Sequence, residues 1–329
     1  TAQLRPAAHP QTESRAAPRL DPPRVLDLPP LTEDIEQAKK DLSVYGMCLL
    51  ADALDAEALQ ALTTALDQQA AAERELGDLA PAGTMSKKQL LSNIVNKGTI
   101  FTDLVERDEV DQLAGFLLGK DFLISSITAG VFHGPTDQVM ALHRDQGHVP
   151  ATADFPAMCN LFWLLDDFLP EHGSTWVVPG SHRWPAEYQV DPPPRDVACQ
   201  VSAPAGTLLA FEGRVWHGAG ANHTGAARRH VSNFLCLPWI RQQENWGVTC
   251  LQSTIDNASL KLRRRLGMRT YGTLGGMNGT ATGKDDRTLG NYDVRIPEFI
   301  IGEAGALHRV HRVGEVSRST QGSPPASNS

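Results

Sequence analysis

Features that mark membrane, secreted and nucleic-acid-binding proteins are missing from this sequence. No apolar run approaches the roughly 18 residues that a membrane-spanning helix needs, so we expect no membrane partner. Residues 1–6 hold no apolar stretch of the kind found in signal peptides, and we expect no signal peptide. A net charge of −8 argues against a nucleic-acid interface over the whole surface, although it allows a local basic patch.

Cysteine is also scarce. The 329 residues include five cysteines, and none of them stands in a C-x-x-C pair. Odd, scattered cysteines in a chain of this length are typical of reduced and buried thiols, and we therefore expect a cytoplasmic protein. The five are Cys48, Cys159, Cys199, Cys236 and Cys250.

The composition that is present is ordinary for a globular protein, with 41% hydrophobic and 21% charged residues. Residues 1–30 are rich in proline, alanine and arginine, so we expect a disordered or extended N-terminal arm. Residues 31–315 are expected to form a single domain, with a β core at about 120–240 and an irregular lid or pocket region at 241–315. The polar end, 316–329, is expected to be a disordered tail.

Helical spacing of apolar residues occurs mainly in the first third of the chain. It predicts a helix over 32–45 that is capped by Thr32, a second over 55–77, and a third from about 102 to 118. Residues 80–98 are polar and contain glycine, and we expect a loop there.

Short strand-like segments follow one another after residue 120, separated by glycine, proline and aspartate. Many short strands without intervening helices favour an antiparallel architecture, of which the jelly roll is the double-sheet form. The predicted fold class is therefore mainly β with packed α-helices, in which the N-terminal helices brace one sheet. The predicted strands cover about 47–50, 122–128, 138–143, 158–165, 174–178, 197–202, 206–212 and 230–238.

The first candidate metal ligands lie two residues apart at the end of the predicted strand 138–143. Side chains of a strand alternate between its faces, so His143 and Asp145 can point into one cavity. A histidine from a distant strand would complete a 2-His-1-carboxylate set, which leaves positions open on iron. The motif alone is weak because the chain has eleven histidines, and a surface histidine beside a solvated aspartate is the alternative.

The segment after the predicted strand 206–212 would supply the rest of the site. His217 is followed by small residues, which let the backbone approach a buried centre closely; a core histidine bonded to a backbone carbonyl is the alternative. Arg228 and Arg229 would lie on opposite faces of the next strand. One of them can therefore point inward with a planar fork that matches a carboxylate, unless both are solvated surface residues.

Together these motifs resemble those of the phytanoyl-CoA dioxygenase family, which consists of Fe(II)/2-oxoglutarate oxygenases, over about residues 40–245. The resembling pattern consists of His143-x-Asp145, Leu165-Asp166-Asp167, Gly173-Ser174-Thr175, Pro179-Gly180-Ser181-His182, His217-Gly218-x-Gly220 and Arg228. The resemblance implies a double-stranded β-helix with His143, Asp145 and His217 as catalytic residues that bind Fe(II). It also implies that Arg228, eleven residues after the distal histidine, binds the far carboxylate of 2-oxoglutarate. Thr175 would add a hydroxyl contact to that co-substrate.

One position departs from the family. Many relatives carry a glutamine three residues before the first ligand histidine, whereas this chain has Met140 there and Gln138 nearby. Gln138 or another residue would have to replace that contact to 2-oxoglutarate, and the metal site is unaffected. His182 follows a Pro-Gly turn and has no partner two residues away, so we expect it not to bind metal.

The resemblance implies a 2-oxoglutarate-dependent dioxygenase that uses Fe(II) and O2 to oxidise an unactivated C–H bond of a small organic substrate. A carboxylate at Asp145, where related halogenases carry a small residue, favours hydroxylation, desaturation or rearrangement. We expect a secondary metabolite as substrate. An acyl-CoA or amino-acid hydroxylase is the alternative within the family, and a non-catalytic jelly-roll binding protein is the alternative of another class. No nucleic-acid partner is expected, and a homodimer is an open option.

Two C-terminal segments have no part in this pattern. The charge run 261–265 predicts a solvated helix face, with anion binding as the alternative. Residues 271–284 are rich in glycine, which indicates a lid or a subunit contact.

Overall fold

Two β-sheets pack against each other in the residues that the computed structural model describes, 23–76 and 87–275. The strands are β1 (Leu31–Thr32), β2 (Met47–Leu50), β3 (Lys88–Leu91), β4 (Leu123–Phe132), β5 (Met158–Leu164), β6 (Thr175–Val177), β7 (Cys199–Gln200), β8 (Leu208–Glu212), β9 (His217–Ala219) and β10 (Arg228–Cys236). The larger sheet has the order β1-β2-β8-β5-β10-β4-β3, and the smaller has the order β7-β6-β9. Except for the parallel pair β1/β2, the strand pairs are antiparallel.

Helices cover the outer face of the larger sheet. They are α1 (Ile35–Tyr45), α2 (Ala56–Leu76), α3 (Thr99–Glu106), α4 (Asp108–Leu118), α5 (Trp246–Thr249), α6 (Gln252–Asn257) and α7 (Leu260–Arg265). Short 3-10 helices lie at Ile94–Asn96, Pro170–His172, Ser181–Arg183, Ala186–Tyr188 and Arg195–Val197. No helix in the described ranges combines the length and apolar character needed to cross a bilayer.

Side chains of the central strands alternate between two environments, as the period of two requires. On β5, Cys159, Leu161 and Trp163 point to the helices and belong to the main apolar core. Phe162 and Leu164 point the other way and pack in a second core that includes residues of the smaller sheet. The space between the sheets therefore begins at the inner face of β5 and its neighbours.

Three details of the predicted elements are wrong. Asp34 rather than Thr32 caps α1, because its carboxylate accepts the Glu36 N–H at 2.8 Å. The predicted helix 102–118 is two helices, since Arg107 between them is extended (φ −66°, ψ 149°). The predicted loop 80–98 contains β3, and its residues 80–86 lie outside the described ranges.

The predicted strand 138–143 is present as a single bridge rather than a regular strand. Residue 143 pairs there with residue 217 of β9. The predicted strands at 158–165, 206–212 and 230–238 correspond to β5, β8 and β10 within two residues at each end, which is the usual uncertainty of element boundaries.

Only part of the predicted terminal regions is described. In the predicted arm 1–30, residues 23–30 form no helix or strand, and Leu26 N–H donates to the Pro179 carbonyl at 3.4 Å. In the predicted lid region 241–315, residues 241–275 include α5 to α7. The remainder, the tail 316–329 and most of the glycine-rich stretch lie outside the described residues.

The charge run in α7 is only partly a solvated face. Lys261 and Arg265 both form ion pairs with Asp111 of α4. The guanidinium of Arg265 also lies 3.3 Å from the ring centre of Phe122. These cations therefore join α7 to α4 and to Phe122, the residue before β4, instead of facing water alone.

Candidate metal centre

The three predicted ligands converge beside β9. His143 Nε2 lies 3.8 Å, and His217 Nε2 lies 3.7 Å, from the same Asp145 Oδ1. In residues 23–76 and 87–275, they form the one group of three or more histidine, cysteine or carboxylate side chains that could hold a metal ion, with ligand atoms within 4.8 Å of one another. His182 is not part of this group. Two imidazole nitrogens and one carboxylate oxygen are a donor set that fits Fe(II).

A backbone bridge brings the two distant histidines together. His143 N–H donates to the His217 carbonyl at 2.8 Å, and His217 N–H donates to the His143 carbonyl at 2.9 Å. Opposite residues of an antiparallel pair present their side chains on the same face, and the two ring centres are 4.3 Å apart. A Cβ at Gly218 would lie 2.7 Å from the Met140 carbonyl oxygen. The glycine after His217 therefore lets the backbone at Met140 and Ala141 pack closely against β9.

The same local hydrogen bond orients both imidazoles. His143 Nδ1 lies 3.1 Å from the Ala141 carbonyl, and His217 Nδ1 lies 3.0 Å from the Val215 carbonyl. A carbonyl accepts a hydrogen bond from a ring N–H, so Nδ1 carries the hydrogen in each ring and Nε2 is the nitrogen turned toward Asp145. Burial also lowers the pKa of His217 to about 4, although the Asp145 charge opposes the shift. His217 is therefore neutral near pH 7, which is the form that binds metals.

Asp145 is held from its second oxygen. Its Oδ2 accepts a hydrogen bond from Asn160 Nδ2 at 3.1 Å, and Asn160 Oδ1 accepts one from Ser232 Oγ at 2.6 Å. Sequence analysis missed both residues because an asparagine and a serine within apolar strands match no ligand motif. The alternation of β5 and β10, which places them on the inner face, is the signal that could have found them.

Arg228 is the buried member of the arginine pair on β10. Its guanidinium lies 4.2 Å from the ring centre of Phe132 and 4.7 Å from that of Phe168. Its Nε has no hydrogen-bond partner among the described residues, and burial lowers its pKa to about 9 against the attraction of Asp166. Arg229 points to the other face and forms a bidentate pair with Asp166 at 2.9 and 2.7 Å. The two arginines thus lie on opposite faces, as predicted.

A second cation, Lys88 of β3, accompanies Arg228. Lys88 stands opposite Phe132 in the sheet, and its Nζ lies 4.9 Å from the ring centre of that residue. Burial is the main cause that lowers the Lys88 pKa to about 8, and the Arg228 charge adds to the shift. Sequence analysis missed Lys88 because β3 was predicted as a loop. A cation beside a desolvated arginine indicates a place for an anion.

His230, two residues beyond Arg228, shares this inner face. Its ring centre is 4.6 Å from that of Phe162 and 5.6 Å from that of Phe132. Gly130 stands opposite, where a Cβ would lie 2.7 Å from His230 Cε1. Burial, with contributions from the two nearby cations, lowers the His230 pKa well below its ordinary value. The His230 imidazole is therefore neutral and lies on the inner face next to the two cations.

Thr175 and Met140 lie on opposite sides of β9. Thr175 of β6 is buried and stands opposite Ala219 of β9, and Val177 of β6 stands opposite His217 of β9. Thr175 is therefore on the same face as His217. Met140 packs against Phe132 and Ala219, which places a thioether where many relatives have a glutamine. The role suggested for Gln138 stays a prediction.

Known proteins match this chain over most of its described length. A model of the family described as phytanoyl-CoA dioxygenase (PhyH) matches residues 42–231. The chain is 27% identical to dioxygenase af480 of Aspergillus fumigatus over 252 residues, which are 74% of this chain and 80% of that protein. It is also 27% identical to dioxygenase swnH1 of Arthroderma benhamiae over 284 residues, which are 77% of this chain and 90% of that protein.

Two solved structures are similar in fold. The non-heme α-ketoglutarate-dependent carbocyclase SnoK from nogalamycin biosynthesis has a TM-score of 0.52 at 20% identity, over 62% of this chain and 84% of that one. HygX from Streptomyces hygroscopicus, solved with nickel and 2-oxoglutarate bound, has a TM-score of 0.51 at 13% identity, over 63% of this chain and 88% of that one. At these identities the likeness shows the fold alone, and it confirms the predicted jelly-roll class.

The family match spans residues 42–231 of 329, more than half of the chain. Curated relatives that bear the name dioxygenase align with three quarters of it. The predicted enzyme class, a 2-oxoglutarate-dependent dioxygenase with Fe(II) and O2 as its other requirements, is confirmed with the family. The chain belongs to the phytanoyl-CoA dioxygenase family.

Proposed function

We propose that His143, Asp145 and His217 are the protein ligands of Fe(II) and that Arg228 binds the far carboxylate of 2-oxoglutarate. The observation that carries this assignment is the convergence of two imidazoles and one carboxylate, whose ligand atoms lie within 4.8 Å of one another. Three protein ligands leave positions for the co-substrate and for O2. Iron bound there supplies the oxidising power for a C–H bond, while the protein supplies position and exclusion of water.

The co-substrate carboxylate would lie between two cations in an apolar setting. Arg228 and Lys88 both lie against the Phe132 ring, and Phe168 covers the guanidinium from another side. Hydrogen bonds between charged groups are strong where water is excluded. Thr175, buried on the face that His217 shares, is the proposed hydroxyl donor.

We propose a small organic molecule as substrate, with a secondary metabolite favoured over an acyl-CoA or an amino acid. The support is the fold likeness to SnoK, an enzyme described as part of nogalamycin biosynthesis. Asp145 fills the ligand position with a carboxylate, so hydroxylation, desaturation and rearrangement are the proposed outcomes. A cytoplasmic location and a homodimer stay predictions.

The deciding experiment is an anaerobic titration of the apo-protein with Fe(II) and then 2-oxoglutarate, followed by the visible charge-transfer band of the chelate. We expect the band in the wild type and its loss in His217→Ala. Arg228→Ala should need about 100-fold more 2-oxoglutarate, because a lost charge-assisted contact is worth about 2–3 kcal/mol. His223→Ala is the matched control, since that histidine is 61% exposed and pairs only with an exposed aspartate.

A well-folded wild type that shows no band at saturating Fe(II) and 2-oxoglutarate would contradict the proposed ligand set and the proposed co-substrate site. A band that survives in His217→Ala would contradict the ligand assignment while leaving the enzyme class intact.

A further inference from the structure

The two oxygens of the Asp145 carboxylate have different surroundings. Oδ1 faces the Nε2 atoms of His143 and His217 at 3.8 and 3.7 Å. Oδ2 instead accepts the Asn160 amide N–H at 3.1 Å. A carboxylate can bind a metal through one oxygen or through both. A donor on one oxygen therefore favours binding through the other.

The Asn160 amide has only one suitable orientation. Its Oδ1 accepts the Ser232 hydroxyl at 2.6 Å, and both side chains are buried on adjacent strands, β5 and β10. A flipped amide would place its oxygen against Asp145 Oδ2, and two acceptors cannot bond to each other. The serine hydroxyl thus fixes which end of the amide meets the carboxylate.

The same segment is also anchored by the residue after Asp145. Gln146 Nε2 donates to the Phe155 carbonyl at 3.0 Å, and its Oε1 accepts the Ala157 N–H at 2.7 Å. The backbone N–H of Gln146 donates to the Gly213 carbonyl at 2.8 Å. These bonds fix the backbone after the ligand, and the His143–His217 bridge fixes it before the ligand. The remaining freedom is rotation of the carboxylate, which is what Asn160 restrains.

We propose that Asn160, oriented by Ser232, is a positioning residue that holds Asp145 as a one-oxygen ligand of the metal. The inference rests on the proposed ligand role of Asp145. A carboxylate free to bind through both oxygens would take a position that the co-substrate or O2 needs. Partners that orient metal ligands typically change metal affinity by about 10–100-fold when removed.

The test is metal affinity rather than turnover. Anaerobic calorimetric titration with Fe(II), and with Co(II) as a stable spectroscopic probe, gives the dissociation constant and the ligand-field spectrum for each variant. We expect Asn160→Leu to weaken binding about 10–100-fold and to change the Co(II) spectrum. Ser232→Ala should weaken it less than Asn160→Leu, because the amide keeps its contact but loses its fixed orientation.

A double-mutant cycle separates positioning from general damage. If Ser232 acts through Asn160, adding Ser232→Ala to Asn160→Leu weakens binding no further. Thr128→Val is the matched control, since Thr128 stands opposite Ser232 on β4 and has no bond to the carboxylate among those described; we expect wild-type affinity. Thermal unfolding of each apo-protein identifies variants that fail to fold, in which case Ser232→Ala carries the test.

The outcomes distinguish this inference from the proposed function. Wild-type metal affinity and spectrum in both Asn160→Leu and Ser232→Ala, with binding lost in His217→Ala, overturn the positioning role alone. Equal losses in Thr128→Val overturn it as well, because the effect would then lack specificity. Absence of metal binding in the wild type overturns the proposed function instead.

Discussion

The two faces of the larger sheet are built from the same strands and have opposite chemistry. On the outer face, Leu161 and Trp163 of β5 and Val231 of β10 pack with the helices in one apolar core. On the inner face, the same two strands present Asn160 and Arg228 among aromatic rings. Adjacent residues of these strands point to opposite faces of the sheet. One face stabilises the fold, and the other can bind an anion and a metal.

The inner face carries groups that burial disfavours. The Arg228 Nε and the His230 Nδ1 have no hydrogen-bond partner within the described residues. Leaving such groups buried costs about 1–3 kcal/mol each, more for a charge. The outer face also has unpartnered buried polar atoms, at Trp163 and Asn233, so the inner face is distinguished by its buried charge. A buried cation that weakens folding in the absence of ligand is consistent with an anion-binding surface.

The comparison predicts the largest loss for the ligand set. Asp145→Ala removes the only carboxylate among the three donors, and we expect succinate release coupled to substrate oxidation to fall about 1,000-fold or more. Chemical denaturation of the apo-protein measures separately what the lost Asn160 contact costs in stability. Asp137→Ala, at a fully exposed aspartate, is the control. Wild-type coupling in Asp145→Ala would remove Asp145 from the metal site.

A buried leucine on the outer face should affect stability alone. Leu161→Ala deletes a side chain with no exposed area, and such deletions cost about 2–5 kcal/mol. Chemical denaturation measures the loss, and the dissociation constant of 2-oxoglutarate should stay within about twofold. Leu76→Ala, at a leucine that is 81% exposed, should cost far less. A large fall in co-substrate affinity would show that the two faces are not independent.

Arg228 should affect co-substrate affinity, and its neighbour Arg229 should affect folding stability. Arg228→Leu should raise the 2-oxoglutarate dissociation constant about 100-fold without destabilising the fold, since an apolar replacement removes a buried charge. Arg229→Leu breaks the bidentate pair with Asp166 and should cost about 1 kcal/mol of stability while leaving co-substrate affinity unchanged. Reversed results would place Arg229 in the pocket.

The smallest predicted effect is a pH dependence from Lys88. Its pKa is lowered from 10.5 to about 8, so the folded protein loses this charge as pH rises through 8. The affinity for the 2-oxoglutarate dianion should then fall by about tenfold or less, and Lys88→Met should bind weakly with a flat profile. Folding stability should change in the opposite sense, rising with pH between about 8 and 10.5, because the unfolded chain binds the proton there. A flat wild-type binding profile would contradict this role.

Motifs with strict spacing could be predicted from the sequence. His143 and Asp145 lie together as predicted, although Asp145 is in a turn after the bridge rather than on a strand, and Arg228 follows His217 at the family interval. The helix over 56–76 was equally accessible, since Asp55 caps it by accepting the Ala58 N–H at 2.8 Å. In each case the feature depends on residues close together in the sequence or on a spacing that the family shares.

What was missed depends on contacts between distant segments. Lys88 lies on an edge strand that pairs only with β4, and four residues are too few to show a period. Arg107 interrupts a continuous helical pattern with an extended backbone, and its guanidinium donates to the distant Ala53 carbonyl at 2.8 Å. The bond of Asn160 to Asp145 likewise exists only after β5 meets the ligand segment.

If His143 and His217 are ligands as proposed, the backbone bridge between them couples metal binding to local unfolding. The bridge joins residue 143 to β9 of the smaller sheet, whose strands have only two or three residues, so it should open more readily than the larger sheet. A metal ion that binds both histidines favours the closed bridge by mass action. The amide protons of these two residues should therefore exchange with deuterium more slowly in the metal-loaded protein, and their lifetimes would report how long the enzyme retains its iron.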